Sequence, residues 1–117
     1  MPYFGLGLFI GDIESDSQVG PPSGLPKPDI TTSQLGQDKA TITTSGVVGA
    51  TSYTYERDTS SAFSSPTTIS SGTTDLSVTD NGPLVLGTTY FYRINATEGV
   101  NTSTSVTSSL TIQSTFT

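Results

Sequence analysis

Apolar and polar positions alternate with a period of two over several short runs, the pattern of half-buried β-strands whose successive side chains point to opposite faces. Ala40, Ile42 and Thr44 alternate with Lys39, Thr41 and Thr43, and Tyr53 and Tyr55 with Ser52, Thr54 and Glu56. Leu76 and Val78 continue the pattern. In a longer run Tyr90, Tyr92, Ile94 and Ala96 share one face, while Phe91, Arg93 and Asn95 share the other. Near the end, Val106, Leu110 and Ile112 share a parity with Ser108. Turn-forming residues separate the runs: Gly46 and Gly49, Ser65-Pro66, Ser71-Gly72, Asn81-Gly82-Pro83 and Gly99. No stretch has a helical repeat. Roughly seven short strands at this spacing predict an all-β, antiparallel two-sheet sandwich. Its expected core is Ile42, Tyr53, Leu76, Tyr90, Tyr92, Ile94 and Leu110.

The pattern upstream is different. Residues 1–11 are apolar, and in an extended conformation Phe4, Leu6, Leu8 and Ile10 project from one face while Tyr3, Gly5, Gly7 and Phe9 project from the other. A helix there is disfavoured, because Gly5 and Gly7 would each cost about 1 kcal/mol. Residues 12–28 begin with Asp12, Glu14 and Asp16 and end in a segment with Pro21, Pro22, Pro26 and Pro28, which favours a semi-rigid spacer. Three units are therefore expected: an apolar anchoring arm over 1–11, a linker over 12–28 and a sandwich domain over 29–117. The arm lacks the basic start of a secretory signal and is too short to span a bilayer, so it is read as part of the mature protein.

Composition narrows the chemistry. Ser and Thr make up roughly a third of the chain, which suits strands and leaves a hydroxyl-rich surface. A formal net charge of −6, with only Lys27, Lys39, Arg57 and Arg93 positive, disfavours nucleic acid and anionic membranes as partners. The absence of Cys and His removes disulfides, thiolate ligands and the commonest general base. A Ser–Lys pair would have to use Lys27 in the linker or Lys39 at a strand start, neither a promising place for a nucleophile. Glu56 and Asp58, and Asp75 and Asp80, read as solvated charges at strand ends rather than as acid–base pairs across a cleft. Asp12-x-Glu14-x-Asp16 opens like a calcium loop, but Ser17 stands where the sharp-turn Gly belongs and Ser23 where the bidentate Glu belongs. No catalytic, metal or cofactor residue is expected, and the chain reads as non-enzymatic.

Two segments carry a family resemblance. Val48-Gly49-Ala50-Thr51-Ser52-Tyr53-Thr54-Tyr55-Glu56-Arg57 resembles the B–C loop and strand C of fibronectin type III domains, where a Gly-Ala-x-x-Tyr run leads into strand C. Leu86-Gly87-Thr88-Thr89-Tyr90-Phe91-Tyr92-Arg93-Ile94-Asn95-Ala96 resembles their E–F corner and strand F. The resemblance covers roughly residues 29–113 and implies a seven-stranded sandwich. It also implies that Tyr90 is the corner tyrosine, its hydroxyl bonded to upstream backbone and its ring in the core. One departure stands out. The family has a buried Trp near the end of strand B, and Thr44 falls there. A Thr fills less volume, and its hydroxyl needs a partner if buried. Other immunoglobulin-like sandwiches stay open.

The arm carries the functional expectation. Burying Phe4, Leu6, Leu8 and Ile10 gains on the order of 6–12 kcal/mol, which ordering the arm's backbone, at about 1–2 kcal/mol per residue, nearly cancels. A lasting anchor then needs strand-addition hydrogen bonds or many copies acting together. The expected partner is a protein, contacted through Tyr3, Phe4, Leu6, Leu8, Phe9 and Ile10 and belonging to a symmetric multi-copy assembly such as a capsid. The expected role is that of a bacteriophage capsid decoration, head-fibre or other virion accessory protein, assembled in the host cytoplasm. The alternative is an extracellular or cell-surface bacterial module, either an adhesin or a spacer associated with carbohydrate. Exposed loops are candidates for weak glycan contact, and a homo-oligomer is compatible with either role.

Overall fold

The computed structural model describes residues 25–114, which form strands and turns without a helix. Eight strands follow in order: β1 (Thr31–Leu35), β2 (Lys39–Thr43), β3 (Ser52–Asp58), β4 (Thr67–Thr73), β5 (Ser77–Asp80), β6 (Thr89–Glu98), β7 (Asn101–Thr104) and β8 (Ser108–Thr111). One sheet has the order β1-β2-β5 and the other β4-β3-β6-β7, with β8 also paired to β6. Every pairing is antiparallel. The fold is the expected all-β antiparallel sandwich, with eight strands because the last one is interrupted.

β6 is the centre of the larger sheet, and its alternation sets the register. Tyr90, Tyr92, Ile94 and Ala96 are buried while their neighbours are half-buried on the outer face. Tyr53 pairs with Ala96 and Tyr55 with Ile94, so β3 and β6 present one continuous inner face. Ala40 and Ile42 of β2, Leu84 and Ile112 complete the core. Each large buried side chain contributes about 1.5–3 kcal/mol, and a slip of one residue would turn this whole inner face to water.

Three expectations fail, two about the core and one about a turn. Leu76 is 44% exposed because it lies in the connection from β4 to β5, where its carbonyl accepts from Thr44 N (2.8 Å). Leu110 is only half-buried and Val106 is exposed, whereas Ile112 is buried. The cause is Ser105, whose Oγ accepts from Ile94 N at 2.9 Å, in the place of a backbone carbonyl. The strand breaks there, and the parity read through it is lost. Ser71 and Gly72 lie inside β4 instead of in a turn. From Tyr53↔Thr73 to Tyr55↔Ser70 and on to Glu56↔Thr68, β4 uses an extra residue at each step, and Gly72 takes φ 63°. Such bulges twist an edge strand out of the geometry that another strand would pair with.

The packed unit also reaches upstream of residue 29. Leu25 and Pro28, which the sequence pattern places in the linker, are buried. Leu25 Cδ2 comes within 3.5 Å of the position a Cβ would occupy at Gly49.

Candidate functional site

Tyr3, Phe4, Leu6, Leu8, Phe9 and Ile10 lie outside the described residues, as do Asp12, Glu14 and Asp16. The described residues show where the chain enters the sandwich and how its polar groups are used.

The entry end is built around Asp29. Its Oδ1 accepts from Thr44 Oγ1 and Ser45 N, each at 2.8 Å, and its Oδ2 accepts from Ser45 Oγ at 2.6 Å. The Ser45 bonds and then the Thr44 hydroxyl stabilise the charged carboxylate and bring its pKa down to about 2. Thr44 is buried, and Asp29 is the partner its hydroxyl requires. A polar hook thus occupies the position where the resemblance leads one to look for an indole. Beside it, Tyr53 Oη accepts from Val47 N (2.8 Å), holding the turn between β2 and β3. Tyr55 Oη donates to the carbonyl of Asp75 (2.6 Å). Burial, followed by the nearby Tyr53 and Asp75 charges, pushes the Tyr55 phenol up to about 12.

The opposite end has a matching pair. Tyr90 is buried, and its Oη accepts from Val85 N (2.9 Å), a backbone amide five residues upstream. Tyr92 Oη donates to Asp80 Oδ2 (2.9 Å). Asp80, only 3% exposed, also takes both carboxylate bonds from Arg57 Nη1 (2.7 and 2.8 Å) and one from Gly82 N (3.0 Å). Arg57 in turn lies over the Tyr90 ring, 5.6 Å from its centroid. Burial, and then the Asp80 carboxylate, raise the Tyr92 phenol well above its usual range. Asp80 is therefore a buried structural anion, not the solvated edge charge its sequence position suggests.

Asp58 departs from that expectation too. It is buried, accepting from the amides of Thr59, Ser60 and Ser65 (2.6, 3.2 and 2.9 Å), with the Ser65 amide leading the causes that lower its pKa. These bonds fold the connection between β3 and β4 over the sheet's outer face. Phe63, buried there in a left-handed conformation (φ 51°), stacks on the Arg93 guanidinium 4.3 Å from its ring centroid. Glu56 Oε1 accepts from Arg93 Nε (2.6 Å) and Asn95 Nδ2 (3.1 Å), and Asn95 Oδ1 accepts from Thr104 Oγ1 (2.7 Å). Only Asp75 of the four carboxylates at these strand ends keeps an exposed residue environment.

Asp29, Glu56, Asp58 and Asp80 are committed to capping turns and pairing arginines. No two of them face each other across a space that a substrate would fill. Among the described residues there is no pocket, and no group of three or more His, Cys, Asp or Glu that would hold a metal ion. No helix of the described residues is long and apolar enough to cross a membrane. Sequence reasoning missed Asp29 as a clamp, although an Asp following Pro28 at a domain's entry is the kind of residue that caps a neighbouring turn. It also missed Val48 and Val100, 90% and 99% exposed on the turns before β3 and after β6.

No family model matches the sequence, and no curated protein matches it. Solved structures do. A Fn3-like protein from Clostridium thermocellum is 26% identical with a TM-score of 0.63, over 73% of this chain and 90% of that one. The fn3 domain of the human collagen alpha-1(XX) chain is 19% identical with a TM-score of 0.63, over 86% and 94%. The FN1–FN3 domains of chicken CNTN1 are 12% identical with a TM-score of 0.64, over 89% of this chain and 33% of that larger one. The last two likenesses speak to the fold alone. These neighbours are fibronectin type III domains, and the chain shares their two-sheet antiparallel β-sandwich.

Proposed function

We propose that this chain is a non-catalytic structural and binding module, a capsid decoration or other virion accessory protein that its N-terminal arm fixes to a symmetric assembly. In this reading the sandwich is displayed on the particle surface. The observation that carries the non-catalytic part is the use of charge: Asp29, Asp58 and Asp80 stabilise turns or pair with Arg57, and Glu56 pairs with Arg93. A domain with its ionisable groups so committed acts through its surface and its attachments. The anchoring part is supported by the unbroken apolar alternation of Phe4, Leu6, Leu8 and Ile10, which gains most from a partner that offers many sites at once.

The test begins with gene neighbours and then uses empty shells assembled from the capsid protein encoded beside this gene. The full chain should co-sediment with the shells, and a chain lacking residues 1–11 should stay in the supernatant. A truncated chain that still sediments, or a full chain that does not, removes the arm as anchor. A second reading, an extracellular bacterial adhesin or carbohydrate-associated spacer, is favoured by the likeness to the Clostridium thermocellum Fn3-like protein. Retention on insoluble polysaccharide, without binding to shells, would select it.

A further inference from the structure

We propose that the end of the sandwich where residues 25–29 enter, tipped by Val48 and Val100, sits directly against the protein surface that holds the arm. This rests on the arm-anchored reading above and adds the orientation of the module and a second contact.

The argument starts from where the chain joins the sandwich. Leu25 packs beside Gly49, and Asp29 is tied to Thr44 and Ser45 by three hydrogen bonds. The 24 residues that precede Leu25 therefore join the domain at the end formed by the turn from β2 to β3. The turn from β6 to β7 is at the same end, since Thr51 N donates to the Thr97 carbonyl (2.8 Å). Val48 and Val100 stand on the tips of these two turns at 90% and 99% exposure, well above the 60% of Val85, the next most exposed of the large apolar side chains.

Charge points the same way. The chain carries a net charge of −6, yet residues 45–55 and 99–114 contain no charged side chain. Glu98, beside the second turn, accepts from Asn101 Nδ2 at 3.0 Å, and Asp29, exposed at this end, accepts from Thr44 and Ser45. The two turn tips themselves are uncharged, so a protein surface that meets them strips water from no ion on either tip. A contact of this size is too small to hold a free molecule. A molecule already tethered by its arm experiences an effective concentration on the order of millimolar, at which a small apolar contact is enough. Val85 and Leu86, also exposed, lie at the other end of β6, roughly 30 Å away at about 3.3 Å per residue. In this orientation they face outward.

The chain has no Cys, so Val48→Cys, Val100→Cys and Val85→Cys each give a single exposed thiol. Maleimide labelling rates are compared for the full chain free and bound to the reconstituted shells. Val48→Cys and Val100→Cys should label about tenfold more slowly when bound, because a packed contact excludes water and reagent, and Val85→Cys should label at an unchanged rate. Equal rates at all three positions, or protection at position 85 instead, overturn the orientation while leaving the arm as anchor. A wild-type chain that does not bind the shells overturns both.

Discussion

At each end of the sandwich a tyrosine hydroxyl accepts a loop amide, and the tyrosine two residues further along donates to a group outside its own strand. Tyr53 holds Val47 N and Tyr55 reaches the Asp75 carbonyl at the entry end, while Tyr90 holds Val85 N and Tyr92 reaches the Asp80 carboxylate at the far end. The geometry is nearly the same, but the acceptor differs. A backbone carbonyl demands nothing further, whereas a buried carboxylate must bring a cation, and Arg57 supplies it. The far end thus carries the molecule's buried electrostatics. The entry end is closed by the two tyrosine bonds and by the exposed Asp29 carboxylate, which needs no cation.

The largest effect should follow from removing the acceptor that differs. Asp80→Ala leaves the half-buried Arg57 and the buried Tyr92 hydroxyl without their partner and should cost about 3–5 kcal/mol in denaturant titration. Asp75→Ala, which keeps the carbonyl that Tyr55 uses, should change stability by less than about 0.5 kcal/mol. Equal losses would erase the contrast between the ends. Next come the tyrosines that the two ends share. Tyr90→Ala should cost about 3–5 kcal/mol. Tyr53→Phe and Tyr90→Phe, each removing one hydroxyl from a loop amide, should cost similar amounts of about 0.5–1.5 kcal/mol. A much larger loss at one position would show that its loop depends on the tyrosine more than the geometry implies.

How much of this was legible in the sequence depends on what each residue's environment requires. β3 and β6 could be read because Tyr, Ile and Ala alternate with polar residues along strands paired on both sides, where only one register hides the aromatics. The break at Ser105 could not be read, because a serine that replaces a backbone acceptor in the ladder looks like any other serine in a chain rich in them. Leu76 misled because an apolar residue in a connection obeys no strand parity. Asp80 and Asp58 misled for the opposite reason. A carboxylate belongs at the surface unless specific partners enclose it, and those partners, Arg57 and Tyr92 for one and the amide of Ser65 for the other, meet it only when the chain is folded.

Smaller effects come from pH, through two groups of the entry end with shifts of opposite sign. Asp29 titrates at about 2 in the fold against 3.8 for a free side chain. A carboxyl with a lowered pKa contributes fully above its unfolded value and loses that contribution as pH falls through the folded one. The melting temperature should therefore decline as pH drops from about 3.8 toward about 2, and Asp29→Ala should lessen that decline. Tyr55, raised to about 12 from 10.0, has the opposite sign: its contribution is intact below about 10 and lost as pH climbs toward 12. The smallest effect on stability is expected from deleting residues 1–11, which should alter unfolding free energy by less than about 0.5 kcal/mol. A substantial drop would make the arm part of the sandwich.

The hook at Asp29 also decides how the module would bear load. Tension applied at residue 25 would meet the buried Leu25 and Pro28, then Asp29, and pass next into β1, whose first residue, Thr31, pairs with Thr43 at the last position of β2. The pull is then directed along the strand axis, at right angles to the β1–β2 hydrogen bonds. All of them from Thr31 to Leu35 share the strain together instead of opening one after another. A sandwich gripped in this way is loaded in shear, the direction in which a ladder is hardest to part, and the two hydroxyls and one amide of Thr44 and Ser45 form the fastening through which the force arrives.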